Sequence, residues 1–471
     1  MVICFKLYIT FCFLYDKKID EINVYKLCNF HTIYAIYLNC ILSNVAVISC
    51  MKKFSLALLP TVMLVAMTQT HAENAFDPKG QYLLGDWNGK RTELAAQGVK
   101  FDANIAADAA YLADGGRDDG NDPTVASQLW LGSNFDMEKL AGWDGVTIRA
   151  ALSARQGQST TADDLQDKNA PQLANVQANF GRGNQKTRLS ELSIEKNFKE
   201  QGVSVKVGRL GLGMDFNVMA CDFQSTAFCA AQMGKWQGLI WMNTPVAQWG
   251  GRVKYQVTPE VFTQVGVYEY NPENALERHG WNLDTDNADG VTIPVEVVWQ
   301  PKSFVNGLPG SYRVGGIYNT ADDAKNQYDI AYAKGAFAED RTYGGWLAVE
   351  QQLTSTGAGR QGLHSFANFT WHDRTTTKVD NSQQIGVKYI GLFDSQPNDI
   401  LGLGVNRVHV NDRVTNSAFN ASAEYNVELN YSYYPTKWLM LRPNIQYVIN
   451  PGATNNVDDA LVLGLSSKVV F

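Results

Sequence analysis

Leu461-Val462-Leu463-Gly464-Leu465-Ser466-Ser467-Lys468-Val469-Val470-Phe471 closes the chain and decides how the rest is read. Leu461, Leu463, Leu465, Val469 and Phe471 alternate with Val462, Gly464, Ser466, Lys468 and Val470. Side chains on an extended backbone point alternately to opposite faces, so this is one strand with an apolar face and a mixed one. The same period recurs upstream. In Gly145 to Arg155, Val146, Ile148, Ala150, Leu152 and Ala154 share one face, against Thr147, Arg149, Ala151, Ser153 and Arg155. In Gln248 to Val257 the faces are Trp249, Gly251, Val253, Tyr255 and Val257 against Gln248, Gly250, Arg252, Lys254 and Gln256. In Val291 to Gln300 they are Val291, Ile293, Val295, Val297 and Trp299 against Thr292, Pro294, Glu296, Val298 and Gln300. Tyr425, Val427, Leu429, Tyr431 and Tyr433 likewise alternate with Glu424, Asn426, Glu428, Asn430 and Ser432.

A soluble sandwich would alternate in the same way. Three features favour a transmembrane barrel. The segments run to roughly ten residues between Gly/Asn/Asp/Pro turns, as barrel strands do. Their polar faces carry charge, as a wet lumen would, while Tyr and Trp gather near segment ends, where interfacial girdles belong. The final strand ends on Phe471, which resembles the insertion signal of bacterial outer-membrane proteins. After Ala72 no stretch is long and apolar enough for a spanning helix, so a spanning sheet has to close on itself to pair every backbone group. Seventeen candidate segments can be counted, and single-chain bacterial barrels use even numbers. The expectation is all-β: an antiparallel transmembrane β-barrel of sixteen strands, with a short helix from Asp86 to Gln97 before the first, N-capped by Asp86 and stopped by Gly98.

The 471 residues include 45% hydrophobic and 18% charged side chains, which suits a large ordered structure and not a disordered one. Met51-Lys52-Lys53, the apolar run Phe54 to Met67 and Thr70-His71-Ala72 read as a secretory signal peptide, since about 14 apolar residues are too few to span a bilayer. Met51 is then the expected start. Residues 1–50 are expected to be an upstream extension outside the mature protein, 51–72 the signal, 73–99 an N-terminal segment with the helix, and 100–471 the barrel. Five of seven cysteines lie in the extension, which leaves Cys221 and Cys229. In an oxidising compartment that pair suggests one disulfide, two free thiols being the alternative. Without residues 1–72 the chain holds 34 basic and 44 acidic side chains. A nucleic-acid partner, which needs a basic face, is disfavoured.

From about Tyr82 to Phe471 the chain resembles the carbohydrate-selective porins of the OprB type. The resemblance rests on Leu84-Gly85-Asp86-Trp87-Asn88-Gly89 with Arg91, and on Cys221-Asp222-Phe223-Gln224 through Ala227-Phe228-Cys229. It continues in Pro294-Val295-Glu296 to Trp299-Gln300-Pro301, Gly310-Ser311-Tyr312-Arg313-Val314-Gly315-Gly316, and Gly391-Leu392-Phe393 with Asn398-Asp399-Ile400-Leu401-Gly402-Leu403-Gly404. Glu428-Leu429-Asn430-Tyr431, Arg442-Pro443-Asn444-Ile445-Gln446-Tyr447 and Asn450-Pro451-Gly452 complete it. Each motif alone is weak; their order is specific. It implies a sixteen-stranded barrel whose loops fold inward to narrow a channel for small sugars. One departure is Ser395-Gln396, where the family usually shows Gly-Arg after Gly391-Leu392.

A sugar offers hydroxyls at its edge and apolar C–H faces, so its path needs charged hydrogen-bonding groups beside aromatic rings. By face, Arg149, Arg155, Arg252, Lys254 and Glu296 are the candidates for the lumen, followed by Arg209 and Arg313. Arg209 shares parity with Val203, Val205 and Val207. The plain alternative is that these charges line a wet wall and pair with one another. Residues 211–235, with the cysteine pair, are the candidate constriction loop. The acidic runs Asp114 to Asp122 and Asp284 to Gly290 invite a calcium reading, but the second has Val295 where a closing glutamate belongs. Both fit solvated turns better. His279, His364, His372 and His409 have no metal-ligand spacing and no nucleophile motif is present, so neither an enzyme, a metal nor a cofactor is expected. The expected partners are small carbohydrates, outer-membrane lipid with lipopolysaccharide, and the barrel assembly machinery, in a monomer or homotrimer. The competing functions are a general or anion-preferring pore and a structural or adhesive barrel.

Overall fold

The computed structural model describes residues 73–117, 122–170, 172–178, 187–236, 240–322, 324–325, 339–357, 359–414 and 420–471. The extension at 1–50, the signal peptide at 51–72 and part of the first acidic run lie outside the described residues. The chain runs through β1 (Val99–Gly116), β2 (Thr124–Asp136), β3 (Val146–Gly157), β4 (Thr187–Phe198), β5 (Val203–Leu210), β6 (Gln248–Thr258), β7 (Val261–Tyr270), β8 (Gly290–Trp299) and β9 (Gly310–Asn319). A short ribbon of β10 (Ala324–Lys325) and β11 (Glu339–Asp340) follows. Then come β12 (Tyr343–Gln352), β13 (Gly362–His372), β14 (Val379–Ile390), β15 (Ile400–Val410), β16 (Ala423–Thr436), β17 (Leu439–Ile449) and β18 (Asp458–Val470). Apart from the ribbon, each strand pairs antiparallel with its neighbours in sequence, and β18 closes on β1 from Asn104↔Val470 to Gly116↔Asp458. The result is a closed barrel of sixteen strands. No edge is left to pair with another chain or to expose backbone groups to lipid.

Burial follows the alternation, with the polarity of a soluble protein reversed. The outward residues Val295, Val314, Leu463 and Leu465 are 45–51% exposed, whereas Glu296, Asn406, Glu428 and Ser432 on the inner face are at most 1% exposed. The exposed apolar band faces lipid and the buried polar set faces the lumen. Aromatic residues mark both rims. Trp299 packs on Phe304 and Tyr312 at ring distances of 4.8 and 5.1 Å, at the end of the barrel with short turns. Tyr318, Tyr343 and Trp371 are exposed at the end with long loops.

The helix before the first strand is shorter than expected. It spans α1 (Lys90–Ala96), because Gly85, Trp87, Asn88 and Gly89 all have positive φ and hold the chain in a left-handed turn. Asp86 still helps to cap it, accepting a hydrogen bond from the Thr92 amide at 2.9 Å. Arg91 fixes the segment to the barrel. Its guanidinium stacks on Tyr82, 3.4 Å from the ring centroid, and donates to the carbonyl oxygens of Phe471 and Phe101. The amide of Phe471 in turn donates to the Ala103 carbonyl.

Candidate functional site

In the connection between β5 and β6, the described residues 211–236 and 240–247 do not leave the barrel; they cross the lumen. Their apolar side chains drive this. Leu212, Phe216, Met233 and Trp241 bury themselves with Tyr268, Ile317 and Trp346 from β7, β9 and β12, and Phe223, Phe228 and Trp236 with Phe366 and Val408 from β13 and β15. The barrel wall makes room where its inward residues are glycine. A Cβ on Gly404 would stand 2.8 Å from the Phe228 ring, and one on Gly266 3.1 Å from Phe216. Burying aromatic side chains of this size contributes on the order of 1.5–3 kcal/mol each.

Wall carboxylates hold the loop's backbone. Glu428 accepts hydrogen bonds from the amides of Gln224 and Ser225 at 2.8 and 2.7 Å. Glu296 accepts from the Asn217 amide at 3.0 Å, and also from Trp346, Gln264 and Arg313. Asp222, on the loop, pairs with Lys388 at 2.7 Å. Burial alone would raise that carboxyl; the Lys388 ammonium together with the Arg442 and Arg360 guanidiniums outweighs it and holds Asp222 below the usual carboxylate range. Cys221 and Cys229 form a disulfide around this stretch. A second segment, described over residues 158–170 and 172–178, folds inward against the first. Asn175 and Thr226 exchange hydrogen bonds at 2.7 and 2.8 Å, Glu424 accepts from the Ala174 amide, and Leu165 and Val176 pack on Leu112, Val448 and Val462.

The first segment fills the lumen beside β7–β16, and the second packs beneath the long-loop rim against β1, β17 and β18. What stays open is a cavity of about 840 Å³ against the lower parts of β1, β17 and β18, reaching from Gln172 and Asn175 down to Lys437 and Trp438 at a short turn. Arg155, Arg188, Lys235, Arg442 and Lys468 line it, with Phe223, Tyr434 and Trp438 supplying aromatic surface. Arg155 donates to Gln128 at 2.6 Å. Arg188 donates to the carbonyls of Asn274 and Ala275, and Arg442 to the Ser432 hydroxyl. Lys235 sits on the loop itself; burial, reinforced by the nearby Arg155 guanidinium, pushes its ammonium down to about 8.

The residues nominated from the sequence fall into separate groups. Arg155 lines the cavity. Arg149, Arg252 and Arg313 face the lumen but are neutralised. Arg149 pairs with Asp102 at 3.0 Å and Glu191 at 2.8 Å, Arg252 with Glu195 at 2.6 Å and Asp215 at 3.6 Å, and Arg313 with Glu296 at 3.3 Å. Glu296 serves as the loop anchor described above. Lys254 lies 5.4 Å from the Phe262 ring on the inner face of β6, away from the cavity lining. Arg209 follows its apolar neighbours outward and is then covered at the rim, where it donates to Asn274 and to the His279 carbonyl. Sequence reasoning missed Arg188 because β4 carries a bulge at Ser190 that reverses parity relative to Leu192 and Ile194. Lys468 and Arg442 were on a polar face and in a quoted motif, but nothing in the sequence shows that they border the space left open.

The chain matches the family model described as "Carbohydrate-selective porin, OprB family" over residues 120–471. It is 40% identical over 426 residues to Porin B of Pseudomonas aeruginosa, covering 85% of this chain and 94% of that one. It is also 40% identical over 445 residues to the putative porin QuiX of Acinetobacter baylyi, covering 89% and 99%. The high-pH structure of OprB from Pseudomonas putida superposes with a TM-score of 0.81 at 39% identity, covering 84% of this chain and all of that one. A closed sixteen-stranded wall, a lumen narrowed by its own loops and matches spanning most of the chain agree. The chain belongs to the OprB family of carbohydrate-selective outer-membrane porins.

Proposed function

We propose that small carbohydrates diffuse passively across the outer membrane along the open side of this lumen, past Arg155, Arg188 and Lys235 beside the inward loops and then past Arg442, Lys468, Tyr434 and Trp438. The observation that carries this reading is the continuous cavity from Asn175 to Trp438. Its volume lies within the roughly 300–1,000 Å³ typical of small-molecule sites. Guanidinium groups offer paired donors to neighbouring hydroxyls, and ring faces offer apolar surface to C–H groups. Release requires each contact to be weak, which a mostly hydrated path supports. In this reading Arg149, Arg252, Glu296 and Arg313 keep the wall and the loop in place and leave contact with solute to others. Export through the periplasm under the 51–72 signal, delivery of the Phe471 strand to the assembly machinery, and a lipid and lipopolysaccharide coat on the outer wall complete the proposal.

The test is single-channel recording in planar bilayers during titration with glucose, maltose and a non-sugar solute of similar size. Saturable reduction of ion current by sugar alone supports the reading. A conductance indifferent to sugar would make this a general pore.

A further inference from the structure

The charges around the open cavity do not balance. Among the described residues, Arg188, Lys235, Arg442 and Lys468 make no close ion pair; Arg188 and Arg442 donate to carbonyl and hydroxyl oxygens, and carboxylates act on them only at longer range, Glu277 on Arg188, and Asp222 and Glu428 on Arg442. Of the two carboxylates on the lining, Asp222 pairs with Lys388 at 2.7 Å, and Asp108 accepts from the Ser466 hydroxyl at 2.7 Å and faces Arg155, so the cations still outnumber them. Elsewhere in the lumen Asp102, Glu191, Glu195, Asp215 and Glu296 lie against Arg149, Lys206, Arg252 and Arg313. Cations without an ion-pair partner thus gather along this cavity, with Lys254 on the inner face of β6 standing apart from it. Arg188 and Lys235 both stand close to Arg155, which has Asp108 beside it. A cleft of one sign with low-dielectric walls concentrates the opposite charge within it. The same lining holds neutral hydroxyl-matching groups, Gln128, Gln172, Asn175, Thr226, Asn243 and Ser466.

Resting on the porin reading above, we propose that the solute this constriction selects is a polyhydroxylated monocarboxylate, a sugar acid of about hexose size, in preference to the neutral sugar. The carboxylate answers the uncompensated cations. The hydroxyls answer the amide and hydroxyl side chains, and a single charge keeps binding weak enough for release.

The test uses the purified barrel in proteoliposomes, with swelling rates for glucose, potassium gluconate and the potassium salt of morpholinoethanesulfonate, valinomycin carrying the potassium. Gluconate is the hydroxylated anion and the sulfonate a hydroxyl-free anion of similar size. Gluconate is expected to enter at least about twofold faster than either, given the field of the cleft. Lys468→Gln and Arg442→Gln are each expected to lower the gluconate-to-glucose ratio by about threefold. Lys468 makes no hydrogen bond that folding depends on, so its variant keeps the test informative if Arg442→Gln does not fold. Glucose entry with gluconate excluded, or a ratio unchanged in the Lys468 variant, overturns the inference and leaves the porin reading standing. Exclusion of both solutes by a channel that conducts potassium chloride overturns the two together. Equal entry of gluconate and the sulfonate overturns the role given to the hydroxyls.

Discussion

Two sides of the same lumen are built on different principles. Beside β7–β15 the inward loop is packed as a protein core, with Phe216, Phe228, Trp241 and Trp346 buried and each nearby charge paired or hydrogen-bonded. Beside the lower parts of β1, β17 and β18 the wall is wet, and its cations border a cavity instead of a close carboxylate. The first side spends its polar groups on holding structure; the second keeps them for solute. The teaching of the contrast is that a charge on a lumenal face means little until its partner is known.

The largest effect is expected where the packed side is undone. Glu428→Ala leaves the buried amides of Gln224 and Ser225 without an acceptor. Two bonds to a carboxylate contribute roughly 3 kcal/mol or more together. The loop should release from β16 while the barrel stays closed. Single-channel conductance should rise severalfold and maltose should enter as readily as glucose, while heat-modifiability on gels is retained. A variant with unchanged conductance would mean that packing alone holds the loop.

Next in size is a paired exchange. Arg252→Gln removes the partner of Glu195 and Asp215, and breaking a buried pair costs about 3–5 kcal/mol. Arg442→Gln removes a charge that donates to the Ser432 hydroxyl and has carboxylates only at longer range. The former should lower the thermal denaturation temperature markedly; the latter should shift the reversal potential in a salt gradient away from anion preference with little loss of stability. If both variants behave alike, the division between the two sides does not hold.

A smaller effect should follow pH. The Lys235 ammonium, pushed down to about 8, is charged at neutral pH and loses its proton as pH rises through that value. Anion preference should therefore decline between pH 7 and pH 9, and Lys235→Gln should show the lower preference at both. Persistence of the decline in the variant would assign the titration to another group.

How much of this was legible in the sequence follows from the same contrast. Face alternation placed Arg149, Arg252 and Glu296 on the inner wall without the structure, because period two is local. The closure of β18 on β1 follows from lipid forbidding an edge. The division of labour among the cations was not legible, because pairs such as Lys388 with Asp222 join residues 166 apart in sequence. Arg188 was hidden by a one-residue bulge, and Arg209 was drawn in by its charge although its parity pointed outward. Helix α1 begins late because four of the five positions from Gly85 to Gly89, all but Asp86, are left-handed and outweigh local helix propensity.

The smallest effect is expected from reducing the disulfide, which lies where the two sides meet. Closing an eight-residue separation restricts the unfolded loop by roughly 2–3 kcal/mol on the chain-entropy account. In the folded protein, however, the stretch it spans is held independently: Asp222 by Lys388, Gln224 and Ser225 by Glu428, and Phe223 and Phe228 by each other at 4.8 Å. Dithiothreitol should therefore change conductance and sugar block by little, while lowering the temperature at which the channel loses its selectivity. Under reduction the Glu428→Ala variant should conduct more than it does with the disulfide intact, since two restraints on one loop are then gone. A large change in the reduced parent protein would show that the staple, and not the buried carboxylate, sets the width of the constriction.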